Sequence, residues 1–107
     1  MLFEKIREAE EKRDTKIYMD ILHDDYVAVS HSSGKEMTKE EMRPFVAQIF
    51  AQKELSYINV RCLYENEDIL VRHQIMTFGD GTKEAVMVVE LKKDGKIIRT
   101  ETGATPL

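Results

Sequence analysis

The chain has 107 residues, 42% hydrophobic and 34% charged, with 16 Lys and Arg against 20 Asp and Glu for a formal net charge of −4. That length supports one buried core without disulfide staples and is too short for two, so residues 1–107 read as a single domain, and the mixed composition excludes a collagenous or disordered chain. No apolar run approaches the ~20 residues that span a bilayer, and no basic run offers a nucleic-acid or anionic-lipid surface, so neither partner is expected. The first ten residues alternate in charge instead of forming an export signal, and the single Cys62 has no partner in the chain. Both features point to a reducing cytoplasm.

Leu2, Phe3, Ile6 and Ala9 recur at helical spacing with Glu and Lys between them, predicting an amphipathic helix that ends near Arg13 and turns a solvated face outward. Asp14 caps a short second helix carrying Ile17, Ile21 and Leu22 and closed by His23-Asp24-Asp25, and a strand runs from Tyr26 to His31. Ser32-Ser33-Gly34 is turn chemistry. Thr38-Lys39-Glu40-Glu41 is a capping box that opens a third helix burying Met42, Phe45, Val46, Ile49 and Phe50, with Pro44 deep enough in it to kink its start. Beyond Leu55 the period changes to two, predicting strands Ser56 to Tyr64, Ile69 to Phe78, Lys83 to Lys92 and Lys96 to Thr102. Asp80-Gly81 and Asp94-Gly95 are two-residue hairpin signals. The expected class is α+β, with three N-terminal helices against one face of a curved antiparallel sheet.

Hairpin turns fix register, and register fixes faces. Counting outward from the two Asp-Gly turns and the 65–68 connection opposes Glu90 to Arg99, Arg72 to Val89, Arg61 to Arg72, Asn59 to Gln74 and Tyr57 to Met76. One face then carries Tyr57, Asn59, Arg61, Leu70, Arg72, Gln74, Met76, Met87, Val89, Leu91 and Thr100. The other carries Ile58, Val60, Cys62, Val71, His73, Ile75, Val86, Val88 and Ile97. The first is expected to pack beneath the helices and keep a polar pocket. The second is expected to meet a partner subunit in a homodimer through Ile58, Val60, Val71, His73, Val86 and Val88, because it is too apolar to leave bare. One extra residue in a loop or bulge would exchange the faces and turn His73 to the helices instead.

The run Leu22-His23-Asp24-Asp25-Tyr26-Val27-Ala28-Val29, the Gly turn, the Thr38-Lys39-Glu40-Glu41 helix start and the closing Lys93-Asp94-Gly95-Lys96-Ile97-Ile98 hairpin together resemble the nuclear-transport-factor-2-like superfamily. That group includes the polyketide-cyclase-like (SnoaL-like) proteins, the ketosteroid isomerases and the association domain of calcium/calmodulin-dependent kinase. The ending Gly103-Ala104-Thr105-Pro106-Leu107 is similar to that of small stand-alone members. The resemblance implies a cystatin-like cone, a barrel of helices and strongly curved sheet, with a pocket between them and commonly a sheet-mediated dimer. It does not carry an activity. The positions of the isomerase base, tyrosine donor and protonated aspartate fall on Ser30, Ile6 and Met87, none of which can do that chemistry. The dehydratase relatives use a His and Asp pair, for which His31 or His73 could supply the imidazole.

Two guanidinium groups about 6 Å apart repel by roughly 3 kcal/mol at an effective dielectric near 20. Arg61 and Arg72 therefore require either helix carboxylates or a bound anion. A carboxylate ligand suits the planar arginine fork, giving Arg61, Arg72, Gln74, Asn59, Tyr57, Ser30 and Thr100 as candidate ligand-binding residues. The leading expectation is a small-molecule-binding domain for a modest apolar ligand bearing an anionic group. The alternatives are a lyase, isomerase or cyclase using His31 or His73 as acid/base, and an assembly module with a vestigial pocket. No cofactor is implied, and His23-Asp24-Asp25 lacks the second cluster that a metal site needs.

Overall fold

The computed structural model describes all residues, Met1 to Leu107. Helix α1 runs Leu2–Lys12, α2 Thr15–Asp20 and α3 Lys39–Phe50; the strands are β1 Leu22–Val29, β2 Glu36–Thr38, β3 Ser56–Glu65, β4 Ile69–Thr77, β5 Lys83–Lys93 and β6 Lys96–Pro106. Each helix start has a local cause. The Asp14 side chain accepts from the Ile17 amide at 3.1 Å, and the Thr38 and Glu41 side chains reciprocally satisfy each other's backbone amides. The first free amides of α1 are taken from across the chain: Leu2 N donates to Glu65 Oε2 at 2.8 Å. Arg13 closes α1 in the left-handed region, at φ 52. Helix α3 runs continuously through Pro44.

The six strands form one sheet in the order β2-β1-β6-β5-β4-β3. Strands β3 to β6 are an antiparallel meander, while β1 runs parallel to β6. This corrects the expectation of a wholly antiparallel, strongly curved sheet closing into a cone-shaped barrel. The sheet is mixed and open, with β2 and β3 as free edges, and it is not strongly curved. His23-Asp24-Asp25 belongs to β1, not to the end of α2, and β2, too short to show a period, pairs antiparallel with β1.

Register departs from the turn arithmetic at identifiable residues. Asp94 and Gly95 do occupy a two-residue turn, at φ 54 and 76, with Lys93 opposite Lys96. Ile98 is then an extra residue in β6, so Leu91 meets Arg99 and Glu90 meets Thr100. The connection of β4 to β5 is longer than Asp80-Gly81 alone: Phe78 N donates to Thr82 O at 2.9 Å, and Asp80 Oδ1 accepts from Thr82 N. Arg72 therefore opposes Val88, and Gln74 opposes Val86. The result is that β5 exchanges its faces. Val86 and Val88, expected at the dimer interface, are 7% and 3% exposed and share the helix side with Leu70, Arg72, Gln74 and Glu90. Met87 and Leu91 take their place outside, 43% and 38% exposed. In β3, bulges between Ile58 and Arg61 and between Cys62 and Tyr64 carry Arg61 opposite His73 in place of Arg72.

The core lies between the helices and the sheet: Ile6 from α1, Met19 from α2, Met42 and Val46 from α3, and Ile21, Leu22, Tyr26, Leu70 and Ile97 below them. No helix is long and apolar enough to cross a membrane.

Candidate functional site

On α1, Glu10 is one helical turn beyond Ile6 and adjacent to Ala9, so it shares their inward face and is only 4% exposed. Opposite it the β4 and β5 registers bring together Arg72, Gln74 and Glu90, all at least 96% buried. Arg72 Nε donates to Glu90 Oε1 at 2.7 Å, and its Nη1 donates to Gln74 Oε1 at 3.1 Å and Glu10 Oε2 at 3.3 Å. Gln74 Nε2 also donates to Glu10 Oε2, at 3.5 Å. The two carboxylates so close to Arg72 outweigh its burial and hold its guanidinium even more firmly protonated than usual. Burial raises the proton affinity of Glu10, with Arg72 and Arg7 pulling the other way.

Above this network is a cavity of about 80 Å³ walled by Tyr18, Val46, Ile49, Phe50, Tyr57 and Met76, with Glu10 and Gln74 as its polar groups. The rings of Tyr18 and Phe50 meet edge to face, centroids 6.2 Å apart. Burial drives the phenols of Tyr18 and Tyr57 well above their ordinary range and that of Tyr26 to about 12, so all three are neutral. On the other side of Glu10 and Tyr57 a more polar cleft of about 220 Å³ opens between α1 and the start of β3, lined also by Arg7, Glu11, Arg13, Leu55 and Ser56. Arg13 fixes this wall: its guanidinium donates to the carbonyls of Gln52 and Leu55 and sits 5.8 Å from the centre of the Tyr57 ring.

Of the residues expected at the pocket, Tyr57 and Gln74 line the cavity and Arg72 lies directly beneath Gln74. Arg61 and Asn59 do not join them. Asn59, at φ 54, forms the first β3 bulge, and both face a shallow groove on the other side of the sheet with Val60, His73 and Ile75. The facing arginine pair is thus replaced by a single buried guanidinium held by Glu10 and Glu90. Ser30 sits in the β1–β2 turn, its hydroxyl 3.2 Å from that of Ser32. Thr100 is buried beside Tyr26 in the sheet, outside the cavity lining. His31 is exposed, with Nδ1 2.7 Å from Thr102 Oγ1, and His73 pairs with Met87 and Arg61 on the outward face, so neither imidazole reaches the cavity. Ile58 and Val71 lie outside with His73, and Val60 borders the same groove. No group of three or more His, Cys, Asp or Glu side chains is arranged to hold a metal ion.

The residue that sequence reasoning missed is Glu10. Read as part of a solvated helix face, it is four residues from Ile6, and that spacing is the signal that marks it as inward. Turn counting opposes Glu90 to Arg99; the Ile98 bulge frees it for Arg72.

No protein-family model matches the chain, and no curated protein matches it in sequence. Solved structures match it closely in shape. An NTF2-like protein of unknown function from Mesorhizobium loti superposes with a TM-score of 0.83 at 11% identity, covering 97% of this chain and 88% of that one. An NTF2-like protein of unknown function from Cytophaga hutchinsonii gives 0.78 at 12% identity, covering 97% and 87%. A steroid delta-isomerase from Pseudomonas aeruginosa gives 0.75 at 15% identity, covering 98% and 77%. The chain has the NTF2-like, ketosteroid-isomerase-like fold.

Proposed function

We propose that the chain binds a small, largely apolar molecule in the cavity between its helices and sheet. The observation that carries this reading is the combination of six apolar walls with two buried polar side chains, Glu10 and Gln74, in a cavity of about 80 Å³. An engineered apolar cavity of about 150 Å³ holds benzene, so a ligand part of about three to five heavy atoms is the right scale here. The anionic ligand suggested by two facing arginines is not retained, because Arg61 lies on the other face and Arg72 is already neutralised. An acid/base reaction is a second reading, with Glu10, not His31 or His73, as the proton carrier, since its carboxyl is buried, borders the cavity and has a raised proton affinity.

A homodimer belongs to the same proposal. Exposed Ile58, Met87 and Leu91, with half-buried Val71 and Ile75, make an apolar outward surface that a second copy would cover. Cys62 is an exposed free thiol, which suits a reducing, cytoplasmic setting. Titration with small alkyl probes followed by methyl NMR tests the cavity: shifts are expected at Val46, Ile49 and Met76, and Ile49→Phe should abolish them. Absence of shifts at these methyls, or equal binding by Ile49→Phe, removes the reading.

A further inference from the structure

The buried network beneath the cavity holds two carboxylates against the buried Arg72 guanidinium, with Arg7 at its margin, and its hydrogen bonds are not fully used. Glu90 Oε1 and Glu10 Oε2 are both engaged by Arg72, but Glu10 Oε1 is buried with no hydrogen-bond donor. The nearest cation on that side is Arg7, whose Nη1 is 3.6 Å away while its Nη2 donates to Glu11 at 2.9 Å. The cavity that Glu10 borders thus sets a carboxylate with one unpaired oxygen beside apolar walls and the side chains of Tyr18, Phe50 and Tyr57.

We propose that this cavity selects a small protonated alkylamine, whose ammonium group donates to the Glu10 carboxylate while its carbon chain packs on Val46, Ile49 and Met76. The inference rests on the ligand-binding reading above and adds the chemical class. Burying an ammonium is costly unless a counter-charge and hydrogen-bond acceptors meet it, and Glu10 offers both. A carboxylate would meet Glu10 with Arg72 already committed. An alcohol can donate to the same carboxylate, but without the added strength of a charge-assisted bond. The aromatic rings add cation–π attraction, which a neutral ligand lacks.

The groups facing Glu10 are Arg7 and Glu11 from α1, Arg13 at its end, Tyr18 from α2, Tyr57 from β3, Arg72 and Gln74 from β4 and Glu90 from β5; α3 contributes only apolar side chains to the cavity. Of these, Glu10 itself is the group whose protonation competes with an ammonium. Its proton affinity is raised by burial, so amine affinity should weaken as pH falls into the carboxylate range.

The test compares three probes of equal size, propylammonium, 1-propanol and propionate, by calorimetry and methyl NMR on the intact protein and on Glu10→Gln. Propylammonium is expected to bind about tenfold more tightly than 1-propanol. Propionate should be weakest, and Glu10→Gln should erase the amine preference while 1-propanol still shifts the Val46 and Ile49 methyls. If the three probes bind alike, or propionate binds best, with the cavity methyls responding, the amine inference fails and the ligand-binding reading stands. If none perturbs those methyls, both fail. Should Glu10→Gln not fold, the pH series on the unaltered protein decides: an amine-to-alcohol affinity ratio unchanged on acidification from neutrality toward the ordinary carboxylate range, as Glu10 takes up its proton, overturns the proposal.

Discussion

Replacing Arg72 by Met removes the only cation within hydrogen-bond reach of the Glu10–Glu90 pair and leaves two carboxyl groups, 4% and 0% exposed, without their shared donor. Breaking a buried pair from one side costs about 3–5 kcal/mol. At about 4–8 °C per kcal/mol for a domain of this size, the melting temperature near neutral pH should fall by at least roughly 12 °C. The loss should depend on pH in a definite direction. The proton affinity of Glu10 is already raised by burial, against the pull of Arg72, and removing that pull raises it further. The folded variant then holds a proton that the unfolded chain releases above the ordinary carboxylate value, so its stability falls as pH rises through that interval and recovers on acidification. Urea unfolding near neutrality and toward the ordinary carboxylate range reads both limbs, since burial holds the Glu10 carboxyl above that range. A deficit below about 1 kcal/mol at the higher pH, or one of the same size at both, would refute the account of the network. Combining Arg72→Met with Glu10→Leu and Glu90→Leu should restore most of the loss, because an apolar trio of similar volume no longer leaves a buried charge alone.

Glu65 accepts from Leu2 N and from Lys92 Nζ at 2.6 Å, with both side chains nearly buried. Burial raises its pKa, but Lys92 and the α1 amides outweigh this and hold it below the ordinary value. The stabilisation is therefore present above the unfolded-state value and is lost as pH falls through the lower folded-state one. Glu65→Gln should cost roughly 3 kcal/mol near neutrality and flatten acid unfolding below about pH 4.5, as chemical denaturation across pH would show. Thr38→Ala removes the side-chain acceptor of the α3 capping box and should cost about 1 kcal/mol in the same assay. Gly95→Ala meets no atom within 4 Å yet places a Cβ at φ 76, so thermal melting should show a loss of about 1–2 kcal/mol from backbone strain alone. Met87→Lys on the outward face should convert an assembled species to monomer in sedimentation velocity, with propylammonium binding retained; an unchanged sedimentation coefficient from a dimeric parent would exclude that surface.

Local signals were strong enough to read most elements from sequence. The capping box at Thr38, the apolar stripe on α3 and the Asp94-Gly95 turn are each specified by residues within a few positions. What failed was the summation of those signals across the sheet. Two Asp-Gly pairs look alike in sequence, but Asp80 uses its carboxylate to hold both Thr82 N and Thr82 Oγ1, and Gly79 N is claimed by Gln52 Oε1 from the loop just after α3, so the Asp80-Gly81 turn is wider. Ile98 bulges with nothing in its own chemistry to announce it. Because side chains alternate, one residue in each place sufficed to exchange the faces of β5 and to hide the Arg72–Glu90 pair. The parallel β1–β6 pairing had no local signature at all, since it depends on where the chain returns after 70 residues.

The open sheet leaves β3 as a ten-residue margin whose outer side has no neighbour in the chain. A straight strand of that length would be a template for another chain to add to, the first step of runaway polymerisation. Asn59 in its left-handed twist and the second irregularity near Leu63 interrupt the ladder at two points, and Arg61 places a charge between them. The same kinks that defeated register counting therefore keep identical molecules from zipping together edge to edge. Straightening β3 by deleting Asn59 would be expected to yield a protein that folds and then accumulates as fibrous aggregates.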